Sequence, residues 1–156
     1  MSVYMGFIPR LIGYVIDAVI TVIFFQIFLF LFNLLITALV SIDQLNTATL
    51  VGVVYASYFL GVAEIAAYFV YFWSSTGQAV GGRIMGFQVI SEATGGLLSP
   101  SRALLRYIGY VISGFILCLG FLWALWDPKK QGWHDKVAGS VVIPVGTANS
   151  AAPNRR

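Results

Sequence analysis

Hydrophobic residues along the chain fall into three long runs that are separated by more polar segments. The first run extends from Leu11 to Val40, and the second from Leu50 to Trp73. At the rise of an α-helix these runs correspond to about 45 Å and about 36 Å, so each predicts a helix that crosses the hydrocarbon core of a membrane. The third run, from Tyr107 to Trp126, is only just long enough to do so. The pattern therefore predicts an all-α membrane protein with two full transmembrane helices and a third apolar segment.

The distribution of basic residues bears on how the third segment lies. The link between the first two spans, Ser41 to Thr49, contains no Lys or Arg, whereas the tail after the third run contains several. The positive-inside rule then places the N-terminus and the region after Trp73 in the cytoplasm. A full crossing by the third run would carry the basic tail outside. We therefore favour a re-entrant segment hinged at Ser113 and Gly114, and a plain third span remains the alternative.

Two short stretches rich in β-branched and aromatic residues predict a small β-element beside the membrane. They are Phe87 to Ile90 and Val141 to Ile143, and they can pair only if they share the cytoplasmic side. Between them, Ser99 followed by Pro100 predicts the start of a helix. We predict a membrane domain over residues 6–143. Residues 144–156 are rich in Ala, Asn, Gly and Ser and are expected to be disordered.

The composition agrees with a membrane protein and excludes several other classes. Hydrophobic residues make up 59% of the chain and charged residues 10%, against roughly 45–50% and 25% in soluble domains. The first apolar run is too long for a signal peptide, so we expect it to be retained. Cys118 is the one cysteine, which excludes an intrachain disulfide. The net charge of +3 is explained by cytoplasmic anchoring, and nothing suggests binding of nucleic acid.

The residues that would carry catalysis are sparse. The one histidine, His134, has neither a nucleophile nor metal ligands at a suitable spacing, so we expect no metal site and no enzyme activity. The glycine-rich stretch over residues 77–86 matches neither the dinucleotide nor the Walker pattern. We therefore expect no cofactor.

Two acidic residues lie inside the predicted spans. Asp17 falls in the first and Glu64 in the second. An acid at the centre of a bilayer costs roughly 2.5–3.5 kcal/mol on insertion scales, so such acids are usually paired or functional. We predict that Asp17 and Glu64 lie at similar depth and bind a proton or an ion. The alternative is that each is hydrogen-bonded on its own and serves only to pack the helices.

Arginine side chains accompany these acids. Arg10 and Asp17 share one helix face but lie about 10 Å apart along its axis, which is too far for a direct bridge. Arg102 and Arg106 are spaced at i,i+4 on the helix that begins at Pro100. We expect both of these arginines to face lipid headgroups from a helix at the membrane surface.

Four ordered blocks of the sequence form a recognisable pattern: PRLIGYVID at 9–17, GQAVGGRIMGFQVI at 77–90, LR at 105–106 and WHDKVAGSVV at 133–142. Together these blocks resemble the RDD family. The family takes its name from one arginine and two aspartates, which map onto Arg10, Asp17 and Asp135. Arg83 stands where lysine is frequent and Ser140 where threonine is usual, and both replacements keep the chemistry.

The resemblance implies that Asp135 folds back toward the membrane, where Arg10 can bridge it to Asp17. We therefore expect a charge cluster of Arg10, Asp17 and Asp135, with Glu64 near enough to couple. The resemblance implies little about function, since a cation/proton exchange role has been proposed for some relatives and others look like accessory proteins. We therefore expect either a small cation/proton-coupled transporter or a non-catalytic accessory or assembly subunit. Two or three spans cannot enclose a pathway, so transport requires a homo-oligomer, whereas an accessory subunit requires a partner membrane protein. The expected location is the lipid bilayer of the plasma (inner) membrane, with several spans and a cytoplasmic N-terminus.

Overall fold

The fold is known from a computed structural model, which describes residues 3–39 and 46–147. Six helices and two strands make up this part of the chain. In chain order they are α1 (Phe7–Leu39), α2 (Thr47–Ser75), α3 (Val80–Ile84), β1 (Phe87–Ser91), α4 (Pro100–Phe115), α5 (Leu119–Leu122), α6 (Trp133–Ala138) and β2 (Ser140–Pro144). A short 3-10 turn, Trp123–Leu125, continues α5. The predicted fold class, mostly helical with one small β-pair, is confirmed.

The two long helices are the predicted spans. α1 has 33 residues and α2 has 29, and both are long and apolar enough to cross a membrane. α2 begins where Asn46 accepts a hydrogen bond from the Thr49 backbone N–H at 3.0 Å, as is typical of a helix N-cap. Residue 40 at the end of the first apolar run, residues 41–45 of the link that lacks Lys and Arg, and residues 148–156 of the predicted disordered tail lie outside the described residues.

The third apolar segment is sharply bent. The axes of α4 and the Leu119–Leu125 stretch differ by 112°, as in a broken span or a re-entrant loop. The predicted hinge position is wrong, because the break follows Phe115, where Leu117 and Cys118 adopt φ values of 48° and 60°. At Ser113 the helix is instead closely packed, since a Cβ on Gly120 would lie 2.9 Å from the Ser113 Cα. Ser113 and Gly120 let α4 and α5 approach closely, and the chain turns between them at Leu117 and Cys118.

The two strands pair as predicted. β1 and β2 are antiparallel, with Phe87 opposite Pro144 and Val89 opposite Val142. An isolated pair of strands is marginally stable, so its side chains need further packing. Ile90, Val141 and Ile143 form a buried cluster against which Tyr4 packs.

Two local features lie between the strands, a turn at Gly95 and the predicted helix start at Ser99 and Pro100. Gly95 turns the chain after β1 with a φ of 70°, and its N–H donates to the Ser91 carbonyl at 2.8 Å. Ser99 caps α4 by accepting a hydrogen bond from the backbone N–H of Arg102 at 3.4 Å, with proline in the first helical position.

The chain divides into two compact units. One combines the start of α1, up to Asp17, with the described residues from Tyr68 onward, and the other contains the described residues of Ala18–Ala67. Within the second unit α1 and α2 approach closely at Gly61, where a Cβ would overlap the ring of Phe25. Small residues permit such contacts where lipid removes the usual hydrophobic drive for helix association.

Candidate functional site

A fully buried carboxylate, Asp135, lies at the centre of the candidate site. It is the third residue of α6, and its Oδ2 accepts the backbone N–H of Gly132 at 2.9 Å, which caps the start of that helix. Arg10 binds the same oxygen, and Arg106 binds Oδ1. Two arginines from helices distant in sequence therefore share one aspartate. We call Arg10, Arg106 and Asp135 the RDR cluster.

Arg10, in the first turn of α1, donates hydrogen bonds from all three nitrogens of its guanidinium. Besides binding Asp135, it donates to the carbonyl of Lys130 and, from Nε and Nη2, to the Tyr14 hydroxyl at 3.1 and 2.9 Å. Only 2% of the residue is exposed. Hydrogen bonds of this kind satisfy a buried guanidinium, which would otherwise carry a large desolvation cost. The start of α1 is thereby fastened to the segment that leads into α6.

Arg106 corrects the prediction that it faces lipid headgroups. Its side chain is 0% exposed, and Nη1 donates to Asp135 and, at 2.6 Å, to the hydroxyl of Ser140. Its guanidinium lies 4.8 Å from the ring centre of Trp73, within range of a cation–π interaction. The physical reason is that Arg106 shares the buried face of α4 with small residues, which let α6 approach: Ala103, Gly109 and Ser113. Arg102 remains exposed and donates to the Ala138 carbonyl at 3.2 Å.

A glycine fixes the distance between α4 and α6. A Cβ on Gly109 would lie 2.8 Å from the Cα of His134, so no larger residue fits without movement of one helix. This close approach places Asp135 within reach of Arg106. The glycine is therefore part of the geometry of the site, although it contributes no polar atom.

The pKa values of the site follow from burial and from the arginines. Burial by itself raises the pKa of Asp135, but Arg10 and Arg106 outweigh it and hold that pKa well below its usual range. Asp135 is therefore ionised at neutral pH. Burial lowers the pKa of the adjacent His134 to about 3, so its imidazole is neutral. His134 packs among aromatic rings, including that of Phe121 at 5.1 Å, as a neutral core residue.

A network of polar contacts holds the segment that precedes Asp135. Asp127 accepts the backbone N–H groups of Lys129 and Gln131 at 3.0 and 3.1 Å, and Lys136 binds its other oxygen at 2.5 Å. The Gln131 amide donates to the Ser140 carbonyl at 3.0 Å. Burial raises the pKa of Asp127, but the hydrogen bonds from Lys136 and the two backbone groups lower it below its usual value. The segment from Asp127 to Lys136 is thus held by hydrogen bonds among its own residues and by one to the start of β2.

Asp17 binds a different set of groups. Its Oδ1 accepts the backbone N–H of Gly81 at 2.8 Å, at the start of α3, and the hydroxyl of Tyr68 at 2.9 Å. Gly81 is required there because a Cβ would meet the backbone of Gly13 in α1 and would lie 2.9 Å from the Asp17 carboxylate. The direct ion pair in the structure joins Arg10 to Asp135, while Asp17 anchors the glycine-rich segment to α1 and α2.

Glu64 belongs to the other compact unit. Its side chain is half-buried, and its buried Oε2 has no hydrogen-bond partner among the described residues. Its coupling to Asp17 stays a prediction. In the part of the chain that the structure describes, no group of three or more His, Cys, Asp or Glu side chains is arranged to hold a metal ion.

Formal charges balance between two buried arginines and two buried aspartates of the first unit, while the buried Asp127 is paired separately with Lys136. Arg10 and Arg106 contribute two positive charges, and Asp17 and Asp135 two negative ones. Buried charges of this kind stabilise a fold only when they are paired and hydrogen-bonded. The arrangement joins the beginning of α1, the end of α2, α3, α4 and α6. It is suited to holding these elements in one geometry.

Comparison with known protein families identifies a family whose profile covers the site. The family profile described as the RDD family matches residues 4–139, which include Arg10, Asp17 and Asp135. The chain belongs to the RDD family. The resemblance of the four sequence blocks is thereby confirmed, and the RDD chain is a membrane protein with two apolar helices of spanning length.

Curated relatives of this RDD chain share part of its sequence. The proline-rich antigen of Mycobacterium leprae is 38% identical over 46% of this chain and 28% of its own length. A proline-rich antigen homolog of Mycobacterium tuberculosis is 31% identical over 54% of this chain and 35% of its own length. An uncharacterized protein of Rickettsia prowazekii is 27% identical over 53% of this chain and 45% of its own length. The RDD chain thus covers less than half the length of these relatives, and no solved structure matches it.

Proposed function

We propose that this RDD chain is a non-catalytic accessory or assembly subunit of a larger membrane complex. The observation that carries the proposal is the RDR cluster, in which both oxygens of Asp135 are occupied by arginines from α1 and α4. A carboxylate held in this way, with its pKa well below the usual range, is a poor carrier of protons. Under this proposal Arg10 and Asp135, two of the three charges that define the family, serve to hold the fold together.

An exposed aromatic face on α2 supports the same proposal. Tyr55 is 73% exposed and Phe59 is 75% exposed, and the two residues lie one helical turn apart. In a bilayer such side chains meet either lipid or another membrane protein. Under this proposal the RDD chain presents them to a partner, while the RDR cluster keeps the rest of the fold rigid.

We further propose that the RDR cluster lies on the cytoplasmic side of the plasma membrane, with the N-terminus. Lys129, Lys130 and Lys136 flank Asp135, and Arg10 precedes the apolar part of α1. The positive-inside rule favours the cytoplasm for short segments of this charge. The bend between α4 and α5 agrees with this orientation, because a re-entrant segment returns the chain to the side from which it entered.

Photo-crosslinking in native membranes tests the accessory role. A photoreactive amino acid at position 59 is expected to capture one membrane protein of defined mass, whereas the same group at Leu60, on a different face of α2, is expected to give lipid adducts only. In a strain that carries Asp135→Asn, the abundance of the captured protein should fall, or that protein should no longer assemble into its complex. Equal capture at positions 59 and 60, or capture that varies from one preparation to the next, contradicts the proposal.

A second candidate function rests on Glu64. A half-buried carboxylate inside a spanning helix, with a buried oxygen that lacks a described partner, is the arrangement expected of a proton- or cation-binding acid. Under this alternative the RDD chain is an oligomeric cation/proton exchanger, and Glu64 binds the exchanged ion.

Proton flux in vesicles decides between the two. Purified protein in sealed vesicles with a pH-sensitive dye is expected to show no flux upon addition of Na⁺ or K⁺ if the accessory role holds. Cation-dependent flux that Glu64→Gln abolishes, and that Asp17→Asn leaves in place, establishes the exchanger and overturns the first proposal. Comparable insertion of both variants, measured by protease protection, is the control.

A further inference from the structure

One face of the C-terminal half of α1, a helix long enough to span a membrane, carries polar side chains. Gln26, Asn33 and Thr37 are all exposed, although their neighbours along the helix are Phe, Leu and Ile. The Asn33 side-chain N–H donates to the Leu29 carbonyl at 2.7 Å, and the Thr37 hydroxyl donates to the Asn33 carbonyl at 2.8 Å. Both bonds stay within the helix. They satisfy the hydroxyl of Thr37 but only one of the groups of the Asn33 amide.

The remaining polar groups are therefore the acceptor oxygen and second N–H of Asn33 and the whole amide of Gln26. Among the described residues these groups have no hydrogen-bond partner. Water is absent from the hydrocarbon core, where an unsatisfied polar group costs free energy. Side chains of Asn and Gln in membranes are accordingly found bonded across helix–helix contacts.

The polar residues fall on a single surface of the right shape. A shallow groove of about 430 Å³ follows α1 and is lined by Gln26, Leu29, Phe30, Asn33, Leu34 and Thr37. These positions recur at intervals of three and four residues, so they lie on one side of the helix. We call this surface the amide face. Gln26 and Asn33 are seven residues apart, which is the repeat of a left-handed helix pair.

We propose that the amide face is the contact surface between two copies of this chain, with Asn33 of one copy hydrogen-bonded to Asn33 of the other. An amide carries both a donor and an acceptor, so it is complementary to itself across a two-fold axis. Copies inserted with the same topology place residue 33 at the same depth when that axis is parallel to the membrane normal. A single polar Asn at such a position also favours a parallel pair of helices in one register. A lipid tail offers the amide neither a donor nor an acceptor.

Leu29, next to Asn33 on the same face, provides a crosslinking site. In a Cys118→Ser background, the Leu29→Cys variant is purified and reconstituted into vesicles of phosphatidylethanolamine and phosphatidylglycerol, then treated with a short bis-maleimide. Leu31 is 55% exposed and lies on the opposite side of α1, so Leu31→Cys is the matched control. Crosslinked dimer at position 29 with little at position 31 is expected. Equal yields at both positions, or a monomer at both, overturn the proposal.

Substitution of the amide measures its contribution. Asn33→Ala is expected to raise the dimer dissociation constant about 5- to 30-fold, as for loss of an interhelical hydrogen bond in a membrane. Leu35→Ala, which removes an exposed apolar side chain from another face, should leave the constant unchanged, and Asn33→Gln should retain much of the affinity. Fluorescence energy transfer between labelled copies in vesicles gives the constant, and circular dichroism checks the helix content. An unchanged constant in Asn33→Ala, or crosslinking of position 29 in native membranes to a different protein only, overturns the proposal.

Discussion

Arg106 provides the sharpest test of how the charges hold this RDD chain together. In Arg106→Met the side chain keeps much of its apolar volume but loses its bonds to Asp135 and Ser140 and its position over Trp73. Removal of one partner from a buried ion pair costs about 3–5 kcal/mol of the free energy of unfolding. Asp135 retains Arg10 and the Gly132 N–H, so we expect the lower end, about 3 kcal/mol. Asp135→Asn leaves two arginines unpaired and should cost about 5 kcal/mol.

Denaturant unfolding of the purified protein in a mild detergent at pH 7 measures these losses. In the double variant of Arg106→Met with Asp135→Asn, the loss should fall short of the sum of the single losses by about 2 kcal/mol, because the two groups act as a pair. Arg102→Met is the matched control: among the described residues the side chain of that exposed arginine makes one hydrogen bond, so the substitution should cost no more than about 1 kcal/mol. Strictly additive losses, or equal effects at positions 102 and 106, refute the reasoning.

Three further predictions concern pH, packing and topology. The pKa of His134 is about 3 in the fold, against 6.5 in an unfolded chain, so the stabilising contribution of the neutral imidazole is complete above pH 6.5. As the pH falls from 6.5 toward 3 the free energy of unfolding decreases, and the decrease is about 2 kcal/mol at pH 5. His134→Gln should flatten the dependence of the melting temperature on pH in that range; an unchanged slope contradicts this. Gly81→Ala should lower the melting temperature because the added Cβ would clash with the backbone of Gly13 and crowd Asp17, whereas Gly114→Ala, with nothing within 4 Å, should not. In a Cys118→Ser background, a membrane-impermeant maleimide added to intact cells should label Asn46→Cys and spare Lys129→Cys; labelling of both excludes the re-entrant arrangement.

The sequence was sufficient for the elements whose signals are local. Apolar length determines α1 and α2, β-branched residues beside glycines determine the strands, and Ser99 with Pro100 determines the start of α4. The bend lies after Phe115 and not at Ser113, because Ser113 packs closely against Gly120. That contact depends on which helices pack against each other. No local pattern specifies such a partner.

The candidate site was predictable only in part. The family resemblance indicated Arg10 and Asp135, and the structure joins them directly. Arg106 was misplaced at the membrane surface because its charge suggested water, although its buried face shared with Ala103 and Gly109 was the available signal. The bond of Asp17 to the Gly81 N–H depends on the fold of the glycine-rich segment, for which the sequence provides no length or period.

The bond between Arg10 and Asp135 has a consequence for biogenesis. The two residues are 125 positions apart, so the arginine enters the membrane system long before its carboxylate has been synthesised. Throughout translation of the intervening chain, the guanidinium at the start of α1 can bond to the Tyr14 hydroxyl of its own helix, but it has no anionic protein partner. A ribosome that stalls before α6 therefore leaves a nascent chain with an uncompensated cation at its first helix. We expect such products to be degraded, so that only full-length translation yields a protein that persists.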